Sequence, residues 1–390
     1  MSVAERANIS VERLTLTNFR NYASAVITPG DRSVVLVGPN GSGKTNLLEA
    51  VSLLVPGQGL RRAAYADILR IGADGAWAVA SRVHSRHGRV DIGTGQPAPQ
   101  AGARASSSRI VRIDGDPQGG SGVLADYLEA VWLTPAMDGL FTGPAAERRR
   151  FLDRLVLCFD PGFRTLASRF ERATQARNRL LADGVREPAR LRSVELVMAE
   201  AGAAVAAART ATIRRLVAVI DARRARAPDS PFPWSAVRIE GSLENELNAG
   251  AAAVDVEDAY ARRLADMRER DRAAARTLEG PHRSDLIVAH GPKAMPARLS
   301  STGEQKALLI GLVLAEAELI AERHDGAGPL LLLDEITAHL DEHRRAALFG
   351  EILRLGGQAW MTGTDRDAFS ALAGKAAFLE VSGATLSPLS

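Results

Sequence analysis

Residues 38–45 read Gly-Pro-Asn-Gly-Ser-Gly-Lys-Thr, directly after the apolar run Val34-Val35-Leu36-Val37. A backbone that wraps closely around phosphates with its N–H groups pointing inward needs Gly38, Gly41 and Gly43, and Pro39, Asn40 and Ser42 complete the loop. Lys44 adds a cation for the β- and γ-phosphates, Thr45 a hydroxyl for Mg²⁺, and a helix from about Asn46 the positive end of its dipole. The chemistry implied is nucleoside triphosphate binding.

Two further stretches could act on the same ligand. Leu330-Leu331-Leu332-Leu333-Asp334-Glu335 reads as a buried parallel strand with carboxylates at its C-terminal edge, where open α/β sheets bind ligands. In a phosphate-loop ATPase, Asp334 would hold Mg²⁺ and Glu335 would polarise the attacking water. The second stretch, Leu299-Ser300-Ser301-Thr302-Gly303-Glu304-Gln305-Lys306, precedes a helical run from Ala307 to Ala321. Ser301 and Gly303 at that helix start read either as a phosphate grip or, with Glu304 following, as a helix cap. Asp341 follows in Ala338-His339-Leu340-Asp341.

The elements that position these residues are a mixture. Val11 to Leu16 and Ala25 to Ile27 alternate as strands, and the helix after Lys44 runs to about Leu54, where Pro56-Gly57 ends it. Trp77 to Val83 and Arg109 to Ile113 read as strands of an inserted antiparallel β-lobe, separated by a Gly/Pro/Ser-rich surface loop from Gly93 to Ser108. From about Gly143 to Glu279 helices dominate: Ala145 to Leu181, Leu191 to Arg226 and Asp255 to Leu278, interrupted at Pro228 to Gly250. They read as an antiparallel, coiled-coil-like arm or as a compact helical subdomain. The expected division is an N-terminal ATPase lobe over 1–142, a helical arm over 143–279 and a C-terminal lobe over 280–390. Asp334 lies too far beyond Lys44 for a small GTPase-like domain.

Composition narrows the classes. With 46% apolar and 24% charged residues the chain is neither disordered nor fibrous. No apolar run approaches the roughly 20 residues of a membrane span, and Met1 to Ser10 carries Glu5 and Arg6 without an apolar signal core, so a cytoplasmic protein without a membrane is expected. Cys158 is the only cysteine, and no metal-ligand spacing is present, which leaves nucleotide-bound Mg²⁺ as the one metal expected. The four lysines, Lys44, Lys293, Lys306 and Lys375, leave an arginine-dominated basic set. Arginine suits phosphate recognition, and a G+C-rich genome produces the same bias.

Together these motifs resemble the ABC-type ATPase heads of SMC and related DNA-repair proteins, and within them the RecF family. Stretches particular to that family are Leu16-Thr17-Asn18-Phe19-Arg20-Asn21-Tyr22, Leu60-Arg61-Arg62, Val131-Trp132-Leu133-Thr134-Pro135, Arg148-Arg149-Arg150-Phe151-Leu152-Asp153 and Gly280-Pro281-His282-Arg283-Ser284-Asp285. The resemblance implies a split α/β phosphate-loop head that binds ATP and Mg²⁺. Two head-to-tail copies would sandwich the nucleotides, each held by Lys44 of one copy and the signature stretch Ser301, Thr302, Gly303 and Glu304 of the other, with Asp341 as the D-loop. It further implies sequence-independent binding to gapped or junction DNA, weak DNA-dependent ATP hydrolysis, recombinase loading, and partnership with the RecR and RecO mediators. Arg61, Arg62, Arg148 and Arg149 are the candidate DNA contacts. Met361-Thr362-Gly363-Thr364-Asp365 lacks the histidine usual at the switch position, which points to slow hydrolysis, and Gln58 is a candidate water-sensing glutamine. A transporter ATPase subunit would share the nucleotide motifs but needs a membrane partner, and an SMC-like chromosome organiser needs a far longer arm.

Overall fold

β-Branched runs, glycine turns and alanine-rich helices alternate along the chain, and the computed structural model, which describes residues 9–98 and 108–389, arranges them around three sheets. Packing divides the chain into two units: one from the stretch ending at Asp138, Asp229–Phe232 and Leu309 onward, the other from Gly139–Pro228 and Pro233–Leu308.

The first unit begins with β1 (Ser10–Phe19), β2 (Tyr22–Ile27), β3 (Ser33–Val37) and α1 (Lys44–Ser52). Then follow β4 (Trp77–Ser85), β5 (Gly88–Gln96), β6 (Ile110–Ile113), β7 (Asp116–Gln118) and β8 (Ala130–Leu133). An antiparallel sheet of order β2-β1-β4-β5-β6-β7 forms the β-lobe. Its strand β5 runs through Gly93 to Gln96, where a surface loop was expected; residues 99–107 of that loop lie outside the described residues. Gly95 is there because the strands approach closely: a Cβ on it would sit 2.3 Å from the Trp77 carbonyl oxygen.

The second unit carries α2 (Ala145–Phe159), α3 (Phe163–Ala182), α4 (Pro188–Arg226), β9 (Ser235–Glu240), α5 (Ser242–Asn248), α6 (Ala253–Asp266) and α7 (Arg268–Ala273). Beyond them lie β10 (Asp285–His290) and β11 (Met295–Pro296). The helices are joined by an antiparallel sheet, β11-β10-β9, which the helix-rich composition did not reveal. The 39-residue α4 corrects one expectation: it is long and apolar enough to cross a membrane. Most of its apolar residues, Leu191, Met198, Val205 and Leu216 among them, are instead buried, and it packs chiefly on α3 and α6. Arg177 is fully buried in this unit and donates to Glu195, Asp271, Thr277 and the Leu264 carbonyl. Losing one partner of such a buried ionic network costs about 3–5 kcal/mol.

The boundary between the units falls within α8 (Thr302–Arg323), after which β12 (Leu330–Leu333), α9 (Glu342–Leu355), β13 (Ala359–Gly363), β14 (Ala376–Ser382) and β15 (Thr385–Pro388) return to the first unit. The central sheet has the order β15-β14-β3-β13-β12-β8, parallel except at β15. Four leucines at no more than 1% exposure make β12 a strand covered on both faces. Strand β13 lies between β3, which leads into the glycine-rich loop, and β12, which leads into the acids.

Candidate functional site

The loop after β3 is shaped by its glycines and held by the β1–β2 turn. Gly43 has φ 115°, and a Cβ there would lie 2.5 Å from Asn21 Nδ2 and 2.7 Å from Tyr22 Oη. Those two side chains grip the loop: Asn21 Nδ2 donates to the Ser42 carbonyl (3.3 Å) and Tyr22 Oη to the Gly43 carbonyl (3.1 Å). At the other end of the loop, a Cβ on Gly38 would meet the Val381 carbonyl oxygen at 2.2 Å. Pro39, Asn40 and Gly41 are exposed at the loop's tip. Ser42 Oγ is buried with no hydrogen-bond partner in the protein, as befits a group whose partner is a ligand.

Lys44 is 5% exposed and donates through Nζ to the carbonyls of Gly38 (2.6 Å) and Pro39 (2.9 Å), which folds the ammonium over the loop. Burial draws this amine below the ordinary lysine range, opposed by the carboxylates of Glu335 and Asp334. Thr45 Oγ1 lies 3.0 Å from both carboxylate oxygens of Asp334, across 289 residues of sequence. Thr362 Oγ1 donates to Asp334 Oδ1 (2.7 Å) and accepts from the Glu335 backbone N–H (2.8 Å). Glu335 is partly buried with φ 48°, a left-handed conformation that a non-glycine residue adopts only when its surroundings hold it there. Asp341 caps α9 by accepting from the Arg344 N–H (2.8 Å), a bond that lowers its pKa. The structure thus brings the loop, Lys44, Thr45, Asp334 and Glu335 into one corner. An oxygen-only donor set of hydroxyl and carboxylate fits Mg²⁺.

In the second unit, Ser301 and Glu304 form a reciprocal cap at the start of α8. Glu304 Oε2 accepts from the Ser301 N–H (3.0 Å) and hydroxyl (3.0 Å), and the Glu304 N–H reaches Ser301 Oγ at 3.4 Å. Lys293 Nζ donates to Glu304 Oε1, and these bonds hold the Glu304 carboxyl down to about 2. Ser301 and Thr302 are exposed, and Gly303 is partly so.

The candidate basic residues differ in how their donors are used. Arg61 Nη1 donates to Asn46 Oδ1 (2.6 Å) and to Glu49 Oε2 (3.2 Å), and Arg20 grips the same Glu49 with two bonds (2.8 and 2.6 Å). Arg62 is exposed, with φ 52°. Arg148 is paired two-fold with Asp285 (2.8 Å each) and donates to the carbonyls of Gly143 and Leu140, while Arg149 donates to the Ser284 carbonyl (2.7 Å). Gln58 is exposed on the segment after α1.

Comparison with known proteins places this geometry. Residues 10–369 match the family model described as RecF/RecN/SMC N terminal domain. The chain is 54% identical over 383 residues to the DNA replication and repair protein RecF of Mesorhizobium japonicum, covering 98% of each chain. It is 52% identical over 373 residues to that of Rhizobium etli, covering 96% of this chain and 97% of the other. The chain belongs to the RecF family. The fold agrees: a solved structure of the recombination mediator protein RecF-ATPrS in RecFOR pathway superposes with a TM-score of 0.83 at 20% identity, covering 99% of both chains. An Smc head domain with an extended coiled coil, bound to the C-terminal domain of ScpA from Pyrococcus furiosus, gives 0.54 at 17%. The molecule is an ABC-type ATPase head of the SMC/RecF class.

Within this RecF-family site, sequence reasoning missed four contributors. Asn21 and Tyr22 stood in a family stretch without a role, and they prove to hold the loop backbone. Glu49 is an acid on the apolar side of α1, and a carboxylate at 1% exposure needs partners, which Arg20 and Arg61 supply. Thr362 was noticed only as part of a stretch lacking histidine.

Proposed function

We propose that the chain is an ATP-dependent DNA-binding protein of recombinational repair and replication. It binds gapped DNA and single-strand/double-strand junctions with little regard to sequence and, with RecR and RecO, promotes recombinase loading in the cytoplasm. ATP drives two copies together head to tail, with Lys44 of one and Ser301, Thr302, Gly303 and Glu304 of the other on each nucleotide and Asp341 in the D-loop. Slow, DNA-stimulated hydrolysis releases them. The observation that carries this reading is the meeting of Thr45 with Asp334 at 3.0 Å, which gathers phosphate loop, cation and acids in one corner.

Thr45 and Asp334 would hold Mg²⁺, which when bound neutralises phosphate charge. Lys44 binds the β- and γ-phosphates, and Glu335 accepts a proton from the attacking water. Among the candidate DNA contacts, Arg62 is the most open, and Arg61, Arg148 and Arg149 would meet phosphate while keeping their internal partners. In functional terms the division we propose follows the motifs, with 1–142 and 280–390 as the two ATPase lobes and 143–279 as the arm. Sedimentation with and without ATP and gapped DNA tests the reading. A monomer that becomes a DNA-bound dimer only with ATP is expected. A chain that stays monomeric, or binds gapped DNA equally without nucleotide, would overturn it.

A further inference from the structure

Strand β13 separates the two halves of the nucleotide corner, and its register brings one buried hydroxyl to the junction. Leu333 pairs with Met361, so the next residues, Asp334 and Thr362, stand side by side where β12 ends, while Thr362 pairs with Leu36 on its other flank, two residues before the loop. Thr362 is fully buried. Its hydroxyl has one proton and donates it to Asp334 Oδ1 at 2.7 Å, and its lone pair takes the Glu335 N–H at 2.8 Å. A single side chain therefore fixes the carboxylate of one acid and the backbone of the next. That backbone, at φ 48°, is the strained one. Since the φ, ψ pair of a residue sets the direction of its Cα–Cβ bond, whatever holds the Glu335 backbone aims the Glu335 carboxylate.

We infer that Thr362 is a positioning residue for ATP hydrolysis: its hydroxyl orients Asp334 and holds Glu335 in the left-handed conformation from which it activates water. The inference rests on the ATPase reading above. The bonds that shape the phosphate loop and hold Lys44 do not involve this hydroxyl, so its removal slows hydrolysis far more than it weakens binding. Valine keeps the volume and branching of threonine but offers neither donor nor acceptor, leaving the Glu335 N–H without its partner.

The test compares the wild type, Thr362→Val, Thr362→Ser and Glu335→Gln with MgATP and gapped DNA. Turnover, nucleotide affinity by fluorescent-nucleotide titration, and lifetime of the ATP-bound dimer by light scattering are read together. Thr362→Val should hydrolyse ATP about tenfold or more slowly, the scale on which misplaced catalytic groups lose rate. Its nucleotide affinity should stay near the wild-type value, its dimer should outlive the wild-type dimer as that of Glu335→Gln does, and Thr362→Ser should restore turnover. The inference is overturned if Thr362→Val turns over at the wild-type rate. Equal slowing in valine and serine variants, or a loss of turnover matched by loss of nucleotide affinity, overturns it too, because the threonine then serves only packing. If Glu335→Gln hydrolyses as fast as the wild type, the ATPase reading itself fails, whatever Thr362→Val does.

Discussion

The nucleotide corner of the first unit and the serine-glycine turn of the second carry equally suggestive sequences, yet their side chains are used in opposite ways. In the corner, buried groups from α1, β12 and β13 converge, Ser42 Oγ has no partner in the protein, and a carboxylate and an ammonium stand in one buried place. At the turn, Ser301 is exposed and its hydroxyl is already engaged with Glu304. The corner keeps a buried hydroxyl unspent. The turn is a satisfied helix start, and its second role is the one we propose for it in a dimer. Burial with an unsatisfied hydroxyl therefore marks the corner, and exposure with hydrogen bonds satisfied locally marks the turn, which is the contrast the proposed head-to-tail dimer would exploit.

Breaking the corner should have the largest effects. Glu335→Gln removes the proton acceptor and keeps the cradle, so turnover should fall about 10²- to 10⁴-fold, the range for a general base, while nucleotide affinity persists and the dimer accumulates; steady-state phosphate release checks this. Lys44→Met removes the cation proposed to bind phosphate, and nucleotide affinity should fall roughly tenfold to a hundredfold, equivalent to about 1.5–3 kcal/mol. A fluorescent-nucleotide titration reading wild-type affinity would take Lys44 out of that role.

The turn answers to gentler tests. Ser301→Arg should leave monomer nucleotide affinity within about twofold and abolish ATP-dependent dimerisation, as read by light scattering, whereas loss of the cap alone costs about 1 kcal/mol of stability. A variant that still dimerises would reduce the turn to a cap. Arg148→Ala strips Asp285 of its two-fold partner, and about 1–3 kcal/mol of stability should go with it in thermal melts. If Arg148 meets a phosphate as proposed, the slope of log DNA affinity against log salt should also flatten by about 1; an unchanged slope would show that the fork is spent on Asp285 alone.

The smallest effect is one of pH at the cap. Glu304 titrates near 2 in the folded protein against an ordinary 4.5, so its pairing with Lys293 and Ser301 stabilises the fold fully above about 4.5. That contribution is lost as the pH falls from there toward 2. The stability gap between wild type and Glu304→Gln should therefore close on acidification below about pH 4.5, and a gap independent of pH would show that the charge does not matter.

Much of this was legible in the chain because local patterns carried it. The apolar run before Gly38 and the four leucines before Asp334 announce parallel strands, and glycine spacing announces the loop between β3 and α1. Strand β5 escaped because glycine inside a strand has the composition of a loop, and only the close approach of Trp77 explains it. Strands β9 and β10 escaped because they are short alternating segments amid long helices, with the pairing Asp285–Glu240 that defines them spanning distant sequence. Thr362 was invisible for the same reason: its work depends on register with β12. The pairing of Arg148 with Asp285 was equally invisible, because a run of arginines gives no sign of which one an acid will meet.

The position of β3 has one more consequence, for synthesis. Both its neighbours, β13 and β14, come from Ala359–Ser382, far downstream of β3 and its loop. A nascent chain that has not reached Ala359 has neither sheet neighbour of β3, and one that has not reached Asp334 has no acid for Thr45. A copy truncated before Asp334 therefore cannot assemble the nucleotide corner.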